Sequence, residues 1–210
     1  MRRDDEFMCD HSICPDSCTC LDGSYDCSRA RLTYLPATTP DVIALIVSYN
    51  HLVNISMITC EQMYKFDVSY NNIQSLGLQT FINCVKLHFL DLSRNNIRHI
   101  SRGHFIRLNY LVLFNISHNP LVSIGEQSFK GLYLVRRFSI QFSDNKLVTL
   151  PDCIFSDMLH LTQLTLVSGT IREFDDNTLC KLAHLEKLII QNSTIYYNNW
   201  QPFPYNSRFD

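Results

Sequence analysis

Apolar residues along this chain fall into one frame that recurs about every 24 residues. Leu87, Leu90, Leu92, Ile97 and Ile100 show it most clearly, with Asn95 set between the third and fourth of them. Leu111, Phe114, Ile116, Asn119, Leu121 and Ile124 repeat it. Earlier copies run Val42, Leu45, Val47, Asn50, Leu52, Ile55 and then Met63, Phe66, Val68, Asn71, Ile73, Leu76. A fifth copy reads Ile140, Phe142, Asn145, Leu147, Leu150, with Arg137 where an apolar residue is expected. The sixth and seventh put Gly169 and Ser193 at the Asn position. Within each copy the alternation apolar-x-apolar predicts a short strand with one face buried.

A second column keeps the same period. Phe81, Phe105, Phe129, Phe155 and Leu179 each lie ten residues after the Asn position. Two columns in register point to a solenoid in which each copy adds one strand to a parallel sheet. No single copy can bury its own apolar face, so neighbours must stack. The Phe column should form a spine on the convex side. The Asn column should bury its amide to satisfy backbone groups where the chain leaves each strand. Gly169 and Ser193 cannot do that in full, which predicts looser C-terminal copies.

The frame is L-x-x-L-x-L-x-x-N-x-L, and the chain is similar to leucine-rich repeat proteins over about residues 14–196. The expected fold class is α/β. It comprises a concave parallel sheet of about seven to eight short strands, a mostly irregular convex side and an N-terminal cap. The expected organisation is a cap at 14–40, seven repeats at 41–196 and an irregular tail at 197–210.

Composition narrows the function. The chain has 210 residues, 46% hydrophobic and 18% charged, enough to fold. Its net charge of -2 argues against nucleic acid, which needs a basic face. No apolar run reaches the ~18–20 residues that cross a bilayer. Met1 to Glu6 is charged and no apolar stretch follows, so no signal peptide is read. The eight His residues are dispersed, no Ser or Cys has a recognisable base partner, and no Gly-rich phosphate loop occurs. Neither an enzyme nor a cofactor or metal site is expected.

Nine cysteines are unevenly placed, five of them within the first 27 residues. Such density suits disulfides in an oxidising compartment or a metal site. The first reading conflicts with the absent signal peptide unless the chain is a fragment. Three cysteines within seven residues lack the two separated C-x-x-C knuckles usual for zinc, which favours disulfides. Spacing alone leaves three pairings open. The run Cys14-Pro15-Asp16-Ser17-Cys18-Thr19-Cys20 with Cys27 resembles the N-terminal cap of extracellular leucine-rich repeat proteins, and that resemblance implies Cys14–Cys20 and Cys18–Cys27. Cys27 takes a strand core position in a degenerate first copy. Cys60 and Cys84 occupy matching frames and are expected as buried free thiols rather than a cross-repeat disulfide. Cys153 and Cys180 do not share a frame, so no bridge is expected there.

Asp5-Glu6-Phe7-Met8-Cys9 looks like the last turn of a low-density-lipoprotein receptor class A module, making 1–13 a remnant in which Cys9 has no partner. A module of that kind followed by a capped repeat array resembles the ectodomain of relaxin-receptor-like leucine-rich repeat G-protein-coupled receptors. The resemblance implies a protein or peptide ligand, a relaxin/insulin-like hormone, bound on the concave face. It also implies a membrane-anchored full-length protein at the extracellular face of the plasma membrane. The alternative is an adhesion, guidance or Toll-like repeat protein.

The frame places Ile46, Asp67, Asp91, Asn115, Gln141, Thr165 and Ile189 between the strand leucines on the concave face. A further column holds Tyr49, Tyr70, Arg94 and His118. Tyrosines beside acidic residues suit a basic peptide segment, so Tyr49, Asp67, Tyr70, Asp91, Arg94 and His118 form the candidate binding site. Glycosylation sequons begin at Asn54, Asn115 and Asn192. A glycan on Asn115 would block the concave face.

Overall fold

The computed structural model describes residues 14–56, 58–142, 147–172 and 178–196. In chain order the strands are β1 (Thr19–Leu21), β2 (Ser24–Asp26), β3 (Ala44–Ile46), β4 (Asn54–Ile55), β5 (Lys65–Asp67), β6 (Ser75–Leu76) and β7 (Phe89–Asp91). They continue as β8 (His99–Ile100), β9 (Leu113–Leu121), β10 (Ser123–Ile124), β11 (Arg137–Phe142), β12 (Leu147–Thr149), β13 (Gln163–Arg172) and β14 (Lys187–Tyr196). No helix occurs among the described residues, so the α/β expectation is corrected: the solenoid is built of strands and turns. The convex side of each repeat descends through a chain of turns too short to wind a helix.

The concave sheet runs β2-β3-β5-β7-β9-β11-β13, with β14 beyond β13, all parallel. β1 closes the other end antiparallel to β2, Cys20 opposite Tyr25. The cap therefore turns an open edge into a hairpin, and the disulfides Cys14–Cys20 and Cys18–Cys27 pin it. Short second ladders follow on the way down: β4 with β6 and β8 with β10.

The frame's apolar positions form one continuous core. Leu45, Phe66, Leu90, Phe114, Phe138 and Leu164 lie on adjacent strands, each at most 2% exposed. Phe81, Phe105, Phe129 and Phe155 are buried on the convex side, with consecutive ring centroids 5.8–6.4 Å apart and nearly parallel. Each buried ring removes 150–250 Å² from water.

The Asn column does what its burial requires. Asn95 Nδ2 donates to Leu92 O and Ser93 O of its own repeat and to Val68 O of the preceding one, while Oδ1 accepts from Ile73 N at 3.0 Å. Asn50, Asn71 and Asn119 repeat the arrangement. Each Asn thus ties two repeats together at the point where the strand ends. The residue before it has a positive φ: 57° at Tyr49, 54° at Tyr70, 53° at Arg94 and 55° at His118. This left-handed turn is costly for a residue with a Cβ, and it persists because the Asn amide and a backbone bond to the next repeat hold both sides of it. Where Asn is absent the chain takes another route. β13 and β14 run on as extended strands through the Asn position, with Gly169 paired to Ser193, so the backbone groups are satisfied by the ladder. Gly169 and Ser193 thus lie within the two longest strands.

The fifth copy has a different frame from the one read from its Asn. Phe138 lies beside Phe114 and Leu164, and Ile140 beside Ile116 and Leu166, so Val135, Phe138 and Ile140 hold the core positions. Arg137 is exposed, at the outward position of the strand. The register breaks after Ile140, and Phe142 meets Leu121 where His118 would continue the pairing. Counting back from Asn145 moves the frame by two residues. A two-residue slip keeps every side chain on the same face, so alternation could not expose it.

Two further disulfides correct the cysteine reading. Cys60 and Cys84 are both fully buried and bonded, with Cα atoms 4.7 Å apart, because equivalent positions of stacked repeats lie one strand spacing apart. Cys153 and Cys180 are bonded as well, at a Cα separation of 5.1 Å. Their frames differ, yet stacking brings the two turns together on the convex side.

Candidate ligand-recognition face

The candidate site stands on the concave sheet, where two columns run side by side across the N-terminal repeats. The first is the positive-φ column. Arg29 N donates to Ser48 O, Tyr49 N to Ser69 O, Tyr70 N to Ser93 O and Arg94 N to Ser117 O, each at 3.0–3.1 Å. These bonds hold successive side chains in register, and the side chains stack. The Tyr49 and Tyr70 rings are 4.0 Å apart and 16° from parallel. Arg29 lies 4.8 Å over the far face of the pair at Tyr49, and Arg94 4.9 Å over Tyr70. His118 continues the column; burial first, and then the charge of Arg94, lowers its pKa. The neighbouring Tyr70 phenol first, with burial behind it, raises the pKa of Tyr49.

The second column is acidic. The register Asp26, Ile46, Asp67, Asp91, Asn115 crosses β2, β3, β5, β7 and β9. Each Asp turns Oδ1 back on its own backbone: Asp26 accepts from Ser28 N, Asp67 from Ser69 N and Oγ, Asp91 from Ser93 N. Asp91 Oδ2 accepts from Asn115 Nδ2 at 3.1 Å. Burial raises the pKa of Asp91, the nearby charge of Asp67 adds to the rise, and the hydrogen bonds from Ser93 and Asn115 oppose it. Oδ2 of Asp67 takes no hydrogen bond among the described residues, and Asp67 is half-exposed.

All six candidate residues therefore converge on the sheet. Two residues were missed, Arg29 and Asp26, and they extend both columns into the cap. The signal was available: Asp26-Cys27-Ser28-Arg29 aligns with Ile46-Val47-Ser48-Tyr49 once Cys27 is taken as a strand core residue. One assignment is corrected. Ser139, not Gln141, stands beside Asn115 and Thr165, as the shifted frame of the fifth copy requires. The tyrosine faces are not open contact area, since each is covered on both sides. The ladder offers ring edges, hydroxyls and guanidinium groups.

A second aromatic row lies where the strands begin. Tyr64 stacks on His88 at 4.4 Å, His88 faces Tyr110 at 5.9 Å, and Lys65 Nζ lies 5.0 Å over Phe89. Beyond Asp91 the sheet dips into a shallow, largely apolar depression lined by Phe89, Leu113, Asn115, Ser139 and Thr165 among others. Of the sequons, Asn54 is exposed on β4, whereas Asn115 is half-buried and its Nδ2 is held by Asp91. Asn192 lies on β14 with its side chain outside the described residues, as do Cys9, the remnant at 1–13 and the tail at 197–210. No group of three or more His, Cys, Asp or Glu suited to a metal occurs among the described residues.

Residues 61–121 match the family described as Leucine rich repeat, and residues 99–203, half of the chain, match the BspA type Leucine rich repeat region. No curated protein matches the chain. Among solved structures, the fold is similar to that of the protein in the crystal structure of a TLR13-ssRNA13 complex, at a TM-score of 0.61 and 24% identity. That likeness covers 71% of this chain and 22% of the other, so the chain spans about a fifth of its length. The recurrent frame, the Asn ladder, the stacked parallel strands and the family matches agree: the chain belongs to the leucine-rich repeat family.

Proposed function

We propose that this chain is the ligand-recognition region of an extracellular leucine-rich repeat receptor, binding a protein or peptide segment on its concave face. The observation that carries the reading is the pair Asp67 and Asp91 on neighbouring strands, set beside the Tyr49–Tyr70 stack on a half-exposed sheet. Their carboxylates are positioned by Ser69, Ser93 and Asn115, so a basic side chain meets groups already fixed in place. Four disulfides among the described residues belong to an oxidising compartment. The finer assignment is to the relaxin-receptor-like G-protein-coupled type, anchored in the plasma membrane. It is supported by the cap and by Asp5-Glu6-Phe7-Met8-Cys9.

The test is surface plasmon resonance of a relaxin-type two-chain hormone on the wild-type chain and on Asp67→Asn/Asp91→Asn. At least tenfold weaker binding by the double variant is expected, because a charge-assisted pair contributes about 1.5–3 kcal/mol. Unchanged affinity would remove the acidic column from the site. No binding to the wild-type chain would remove the relaxin-type assignment.

A further inference from the structure

The carboxylates explain how the concave face holds a basic group; the two arginines of the ladder call for a second kind of contact. Arg29 and Arg94 are exposed, and neither has a carboxylate partner among the described residues. Each guanidinium lies over a tyrosine ring, which restricts where it sits before any ligand arrives. A stacked guanidinium keeps its in-plane N–H donors for an anion. The two are three repeat steps apart, roughly 14 Å at about 4.8 Å per step. An extended peptide advances about 3.3–3.4 Å per residue and returns to the same face every second residue, so its residues i and i+4 are also roughly 13–14 Å apart on one face.

We infer that Arg29 and Arg94 form a two-point clamp for an extended partner segment that runs along the arc and carries carboxylates four residues apart. The inference rests on the concave face being the recognition surface and adds the chemistry of the partner: basic toward the Asp67–Asp91 column, acidic toward the ladder. Tyr49 and Tyr70, between the arginines, set the spacing. A nucleic acid fits the clamp less well. Base stacking needs an open ring face, and both faces of each tyrosine are covered. The parallel column Asp26, Asp67, Asp91 also repels a polyanion.

The experiment uses biotinylated Gly/Ser peptides of equal length that carry one Lys and two Glu at spacing i+2, i+4 or i+6. Binding of the whole chain is measured by biolayer interferometry at low salt, with a single-stranded oligonucleotide as the comparison. The i+4 peptide should bind at least fivefold more tightly than the other two. Arg29→Gln and Arg94→Gln should each abolish that preference while leaving the melting temperature unchanged, since both side chains are exposed. Equal binding at all three spacings, a preference that survives both Arg variants, or tighter binding of the oligonucleotide each overturns the clamp. If Asp67→Asn/Asp91→Asn weakens hormone binding while the Arg variants leave peptide binding untouched, the concave-face reading stands and the clamp alone falls.

Discussion

Tyr49 and Tyr70 stack face to face at 4.0 Å although 21 residues separate them, because both occupy the left-handed position before the Asn of their repeats. The Tyr70 phenol is the main cause of the raised pKa of Tyr49 beside it. Tyr70→Phe removes the partner hydroxyl and keeps the ring. The Tyr49 phenol should then titrate at lower pH than in the wild type. NMR of tyrosine labelled with carbon-13 at Cζ follows it directly, and an unmoved Tyr49 titration would show that the hydroxyls do not interact.

The Asn ladder should dominate stability among the polar residues. Asn95→Ala orphans Ile73 N inside the core and removes one of the two amide donors from the carbonyls of Val68 and Leu92, which keep Asn71 and Asn119. A loss of about 1–3 kcal/mol is expected, from one buried donor left unsatisfied. Asn96→Ala, at the exposed neighbouring position, should change stability by less than about 0.5 kcal/mol. Urea denaturation of the two variants gives the comparison, and equal effects would mean that the amide is dispensable.

Disulfide content gives a count that can be checked. Eight of the nine cysteines are paired, which leaves Cys9 without a partner in the chain. Thiol titration of the unfolded, unreduced protein should therefore give one thiol per chain, and five would restore the free-thiol reading of Cys60, Cys84, Cys153 and Cys180. Cys60→Ala/Cys84→Ala should lower stability by about 2–4 kcal/mol, since that bridge closes a loop of intermediate length.

Acid should weaken the solenoid through His104. The ring is buried, its Nδ1 accepts from Ser101 N at 3.2 Å, and burial lowers its pKa. Below the unfolded value of about 6.5 the unfolded chain binds the proton more readily than the folded one, so stability falls as pH drops through that value. Above it His104 adds no pH dependence. His118 works in the same direction. The raised pKa of Asp91 works the other way, within the carboxylate range. His104→Asn keeps an acceptor for Ser101 N and should flatten the slope between pH 7 and 5.5. Thermal melts across that range test it, and an identical slope in the variant would clear His104.

The repeat, the buried frame and the roles of the Asn and Phe columns are legible in the residues alone, because each is a periodic demand that one chain position cannot satisfy alone. So is the set of residues that share the concave face, since a period-2 strand sends Asp67 and Asp91 to the side opposite Phe66 and Leu90. Tertiary structure decided what happens between repeats. Arg29 joined the ladder and the tyrosine faces closed because side chains one repeat apart in sequence become neighbours only on stacking. Cys60 met Cys84, and Cys153 met Cys180, for the same reason. The fifth copy moved by two residues because alternation is blind to an even shift, and only pairing with Phe114 and Leu164 set its register. The convex segments are turns, since their length is set by the neighbours on which they stack.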